Sequence, residues 1–130
     1  IDVLELGRDA SYDKDAQIIV VTGDGSLELN IQELKTVSQN NLNIKIFVIN
    51  NGGYASIRES QDEYSEGRYT EDEDILDFSK VANAFEMNYE IIDDYLTIDE
   101  QINNVTSNSN PTLIEVVCER DQKIFGPEVI

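Results

Sequence analysis

The sequence predicts an α/β domain: a parallel sheet wrapped by helices. Three observations carry that expectation. Short β-branched runs alternate with stretches of helical periodicity in the order strand, helix, strand, helix, strand, helix, strand. The strand runs are mostly apolar instead of strictly alternating, as strands covered on both faces are. The first two strands each end in a glycine-bearing turn, "GDG" and "NNGG", at the carboxyl edge where such sheets carry ligands.

The elements follow in order. Gln17 to Thr22, "QIIVVT", reads as a strand buried on both faces and stopped by Gly23. Ser26 is placed to cap the next helix, in which Leu27, Ile31, Leu34 and Val37 recur near helical spacing. Asn40 and Asn41 close that helix. Ile44 to Ile49, "IKIFVI", is the second strand. Ala55 to Asp74 is polar and irregular. Ile75 to Phe85 is an amphipathic helix on Ile75, Phe78, Val81, Ala82 and Phe85. Tyr89 to Ile92 is a third strand. "TIDEQINNVTSN" is a helix capped by Thr97, with Glu100 completing a capping box. Pro111 interrupts, and Thr112 to Cys118 is the fourth strand.

At 130 residues, 40% apolar and 28% charged, the composition is that of one ordinary globular domain. No run approaches the roughly 18 apolar residues of a membrane-spanning helix. The N-terminus is neither basic nor continuously apolar, so it does not read as a signal peptide. It starts without methionine, and the expectation is a truncated domain of a longer chain, with an atypical segment at 1–16 ahead of the domain at 17–130.

A net charge of −18 repels nucleic acid and anionic membranes, and neither is expected as a partner. The acidic residues concentrate from Asp62 to Asp77, a solvated loop entering a helix whose oxygen spacing does not match a helix-loop-helix calcium site. The absence of histidine removes His-based triads and His-ligated zinc. The single cysteine, Cys118, has no internal disulfide partner and reads as a buried strand residue, which fits a cytoplasmic compartment. The sequon at Asn104 is then chance.

Asp24 offers a carboxylate on a tight turn, and Asn50 or Asn51 offers an amide oxygen at the neighbouring strand end. The flanking glycines let backbone groups approach a ligand closely. Hard divalent cations take oxygen donors and are usually held by one or two protein groups plus substrate phosphates. The helix beginning near Ser26 would aim its N–H groups at the same place. The chemistry converges on a metal-bridged phosphate or diphosphate. Either turn alone is a common loop sequence. The P-loop lysine is absent, and so is the dinucleotide glycine spacing.

Together, "GDG", then 24 residues, then "NN" resembles the thiamin-diphosphate motif of the thiamin-dependent enzyme superfamily. The stretch from "GDGSLELN" to "NNGGYASIRESQ", with the tail "PTLIEVVCERDQKIFGPEV", looks like the acetolactate synthase branch, over about Gln17 to Val129. The resemblance implies that Asp24, Asn51 and the Gly53 carbonyl ligate Mg²⁺, and that Gly25 and Ser26 lie against the diphosphate. By the same resemblance Gly23, Gly52 and Tyr54 line the cofactor, thiamin diphosphate, while Asn50 braces the loop.

The resemblance also implies a pyrimidine-binding domain, of the same or a partner chain, that carries the activating glutamate. It implies a homodimer or higher oligomer acting on a small 2-oxo acid such as pyruvate. No catalytic residue is expected within this chain. Ile57 stands where simple pyruvate decarboxylases carry a glutamate, which fits carboligation; Arg58, Gln61 and Arg68 are candidates for a substrate carboxylate. The alternatives are a non-ligating 2-oxo acid decarboxylase, an inactive cofactor-binding relic, or a flavodoxin-like module for a metal or nucleotide.

Overall fold

The computed structural model describes residues 16–68 and 75–122. Segment 1–16 lies outside them save for Ala16, as do part of the acidic loop and the last residues of the tail. Four strands form one sheet: β1 (Ile18–Gly23), β2 (Ile44–Asn50), β3 (Asn88–Ile92) and β4 (Thr112–Val117). Their order is β1-β2-β4-β3 and every pair is parallel. Register places Val20, Ile46, Leu113 and Tyr89 in one row across the sheet.

The helices are α1 (Asp24–Leu29), α2 (Glu33–Gln39), α3 (Ala55–Tyr64), α4 (Phe78–Ala84) and α5 (Ile98–Thr106). Leu27, Leu34, Val37, Phe78 and Ala82 bring α1, α2 and α4 onto one face, over Val20, Ile46, Val48 and Leu113. On the other face α5 places Val105 among Phe47, Ile92 and Ile114. The α/β parallel sheet with helices on both sides is as the sequence implies.

Cover on the second face stops short of β1. Ile19 and Val21 are 50% and 57% exposed, which corrects the expectation of a first strand buried on both faces. The cause is position: β1 is an edge strand, and α5 packs at the far side of the sheet, on β3.

The expected helix from Leu27 onward is two helices. Asn30, at φ −135°, leaves helical geometry and ends α1, and its carbonyl accepts the Glu33 N–H at 3.0 Å as the chain turns into α2. Asparagine offers the backbone alternative partners and breaks helices readily. Helix α1 also starts at Asp24 with Gly23 as its cap, so Ser26 lies inside the helix and caps nothing. Helix α2 ends as expected on Asn41, whose φ of 47° is the left-handed C-terminal conformation; the Leu42 N–H closes the turn on the Val37 carbonyl at 3.1 Å. Helix α4 ends in the same way, with Glu86 left-handed and the Met87 N–H on the Ala82 carbonyl.

The capping box expected at α5 does not form. The Thr97 hydroxyl turns back to Asp94, whose own carboxylate accepts the Leu96 N–H at 2.9 Å in a local turn. The cap of α4 is made by Asp77, which accepts the Lys80 N–H at 3.1 Å. The Ser79 hydroxyl, followed by the Lys80 ammonium and backbone N–H, holds the Asp77 carboxyl down at about 2.

A carboxyl depressed below its unfolded value stabilises the fold above that value and loses the contribution as pH falls through the folded one. Asp77→Asn keeps a capping oxygen but cannot ionise. The gap between parent and variant urea midpoints should therefore narrow as pH falls from about 5 toward 2. A gap constant over that window would contradict the assignment.

Candidate functional site

The two glycine turns meet at the carboxyl edge of the sheet, because β1 and β2 are adjacent and in register from Ile18 with Ile44 to Gly23 with Ile49. Asp24 leaves β1 directly into α1 and is 3% exposed. Its carboxylate accepts three backbone N–H groups and keeps acceptor capacity on Oδ1. Oδ1 accepts from the Gly25 N–H at 2.7 Å, and Oδ2 accepts from Asn51 at 3.2 Å and Gly53 at 2.8 Å. The aspartate ties the two turns together.

Asn50 braces the loop from within. Its Oδ1 accepts from the Gly52 N–H at 3.2 Å, and its Nδ2 donates to Glu115 on β4 at 2.6 Å. Glu115 also accepts the Tyr89 hydroxyl; burial, then this bond, push the Tyr89 phenol up from its ordinary value. Gly52 and Gly53 hold φ of 76° and 81°, so the loop conformation itself calls for glycine at both positions.

The carbonyl side of the same loop is gripped by Arg58, in the first turns of α3. Its Nη2 donates to the Asn51 carbonyl at 2.9 Å and to that of Arg120 at 2.6 Å. Its Nη1 donates to Gly52 at 2.9 Å and, in a shorter bond, to Gly53. The guanidinium is buried at 1% exposure, and the carboxylate of Asp121 lies 3.8 Å from Nε. The loop is thus held between an anion on its N–H side and a cation on its carbonyl side.

Gly23, Asp24, Gly25, Ser26, Asn51 and Tyr54 share a pocket of about 170 Å³ with Ala55 and Ser56. Among the described residues no lysine or arginine lines it. Gly52 and Gly53 are not in its lining; they shape the loop behind it. The Tyr54 ring lies against Gly25 so closely that a β-carbon there would stand 3.0 Å from it.

A larger cleft of about 430 Å³ opens beside α3. Glu59, Asp62, Glu63 and Asp121 line it with Arg68 and Arg120. Arg68 donates to Asp62 at 2.7 Å and to Asp121 at 3.1 Å. The smaller pocket is the better candidate despite its size, because residues of both glycine turns line it at the carboxyl edge of the sheet.

Of the residues singled out for a substrate carboxylate, Arg58 is buried in the loop, Gln61 sits on α3 and Arg68 is engaged by carboxylates; none of the three lines the small pocket. Ile57 is 41% exposed and outside its lining. Cys118 lies just past β4, half-buried, its thiol pushed up by burial and then by the Asp24 carboxylate. Sequence reasoning missed Ala55 and Ser56 as lining residues, although they adjoin Tyr54, and missed Glu115 and the role of Arg58.

The pocket's donors suit a hard divalent cation in kind, the Asp24 carboxylate and the Asn51 amide, whereas the Gly53 carbonyl lies outside the lining and accepts from Arg58. Among the described residues no cluster of three or more His, Cys, Asp or Glu is present. The protein therefore supplies less than a full octahedral shell, and phosphate oxygens and water would complete it.

A parallel α/β sheet with a pocket at the carboxyl ends of adjacent strands is the arrangement in which open α/β domains bind their ligands. The chain belongs to the family described as thiamine pyrophosphate enzyme, C-terminal TPP binding domain, which matches residues 5–116. That match begins within the segment set apart at 1–16.

Among known proteins, the chain is 30% identical over 111 residues to the acetolactate synthase large subunit of Cyanidium caldarium, covering 83% of this chain and 19% of that protein. It is 28% identical over 107 residues to the mitochondrial acetolactate synthase catalytic subunit of Aspergillus candidus, covering 82% and 15%. It is 38% identical over 72 residues to the large subunit of Buchnera aphidicola, covering 54% and 13%. The chain spans less than one fifth of the length of these curated relatives.

Proposed function

We propose that this chain is the diphosphate-anchoring domain of an acetolactate-synthase-like carboligase acting on 2-oxo acids such as pyruvate, and that it holds thiamin diphosphate through Mg²⁺. One observation carries the reading: the pocket shared by both glycine turns contains a buried carboxylate and, among the described residues, no basic side chain. A diphosphate placed beside Asp24 would be repelled unless a divalent cation stood between them.

In this reading the Asp24 carboxylate, the Asn51 amide oxygen and the Gly53 carbonyl take the ion. Gly25 and Ser26 face the diphosphate, and Gly23, Gly52 and Tyr54 shape the wall around it. When bound, the cofactor supplies a nucleophilic carbon and an electron sink for breaking the bond next to a 2-oxo acid's carbonyl. This chain's residues contribute position and charge. A pyrimidine-binding domain, from the same or a partner chain, would complete the site, with active sites between at least two subunits.

Competition distinguishes this from a nucleotide or flavin module. In Mg²⁺, thiamin diphosphate should bind the chain at least about tenfold more tightly than ATP or flavin mononucleotide, read by equilibrium dialysis. Preference for either nucleotide would refute the reading. Incubation with thiamin diphosphate, Mg²⁺ and pyruvate should release no carbon dioxide above background, since the activating carboxylate belongs to another domain.

A further inference from the structure

A buried guanidinium normally faces a carboxylate or phosphate. Arg58 faces carbonyl oxygens: four of its hydrogen bonds run to backbone acceptors, three of them the consecutive carbonyls of Asn51, Gly52 and Gly53. The carboxylate of Asp121 stands 3.8 Å from Nε and is itself 63% exposed. The positive charge is balanced chiefly by the dipoles of the loop. Gly53 is where the two sides meet, its N–H on Asp24 and its carbonyl on Arg58.

We propose that Arg58 is the loop's resident cation. It holds these carbonyls and would oppose a divalent ion at Gly53, so that loading would exchange one cation for another at that oxygen. The inference rests on the anchor reading given above and adds to it a residue that sets ion affinity without lining the pocket. A guanidinium at hydrogen-bond distance from an oxygen that must ligate a doubly charged ion repels that ion, and burial leaves little water between them to screen the repulsion. The bonds to Asn51, Gly52 and Arg120 can persist while the one to Gly53 is released, which keeps the loop folded during the exchange.

The test is titration of the 130-residue chain with Mn²⁺ alone, reading free ion by electron paramagnetic resonance. Asp24→Ala identifies which sites belong to the anchor. Arg58→Gln, which keeps amide donors and removes the charge, should tighten the Asp24-dependent site by about tenfold. Unchanged or weaker binding with Asp24 dependence intact would overturn the proposal and leave the anchor standing. Absence of any Asp24-dependent Mn²⁺ site in parent and Arg58→Gln alike would overturn both.

Should Arg58→Gln not fold, the unsubstituted chain still decides. Guanidinium protons of Arg58, followed by nitrogen-15 NMR, should exchange faster with water once Mg²⁺ has shifted the Gly53 amide to its end point. Exchange that stays constant through that titration would refute the release.

Discussion

Replacing Arg58 by alanine should lower the stability of the domain by about 3 kcal/mol, because buried acceptors that lose a charged donor keep the cost of their desolvation. Four carbonyls, those of Asn51, Gly52, Gly53 and Arg120, lose their guanidinium at once, and part of the loss is recovered where water enters. The effect should be much larger than that of truncating Arg68, which is more exposed and bonded to carboxylates at the surface. The urea midpoint reports it. A change in Arg58→Ala no greater than in Arg68→Ala would mean that the loop stands without its guanidinium.

Asp24→Ala should be the second severe substitution. The carboxylate is buried and accepts three backbone N–H groups, from Gly25, Asn51 and Gly53. Removing it strands donors on both turns and should cost on the order of 2–4 kcal/mol, whether or not any ion is present. Asp24→Asn retains one acceptor oxygen and should recover part of that stability in metal-free buffer. It should not recover cofactor binding, which needs the charge. This separation of folding from ligation is what distinguishes an anchor from a merely structural aspartate; equal recovery of both would favour the structural role.

The two turns and the parallel sheet were legible because their signals are local. Runs such as "IKIFVI" carry their burial in composition, and glycines at Gly52 and Gly53 mark a conformation other residues rarely adopt. Helix α3 was invisible for the opposite reason. "ASIRESQDEY" holds no apolar stripe, and its one buried side chain is Arg58, which docks the helix through hydrogen bonds. Hydrophobic periodicity has no means of registering a helix attached that way.

Position within the sheet was equally hidden. "IIVV" reads the same whether a strand is central or at an edge, so the exposure of Ile19 and Val21 depends on strand order, which the run itself does not encode. In the site, Asp24 and Asn51 could be paired through the motif spacing, whereas Glu115 comes from β4, some ninety residues beyond Asp24 and with no local mark. Its contribution, bracing Asn50, depends on β2 and β4 pairing Asn50 with Val117 and Val48 with Glu115.

The most direct test of the anchor is calorimetric titration of the chain with thiamin diphosphate, in Mg²⁺ and in chelator, repeated on Asp24→Ala. The account predicts one site that requires the metal, and its loss, by about a hundredfold or more in affinity, when Asp24 is truncated. Binding that is indifferent to the metal, or that survives in Asp24→Ala, would contradict it.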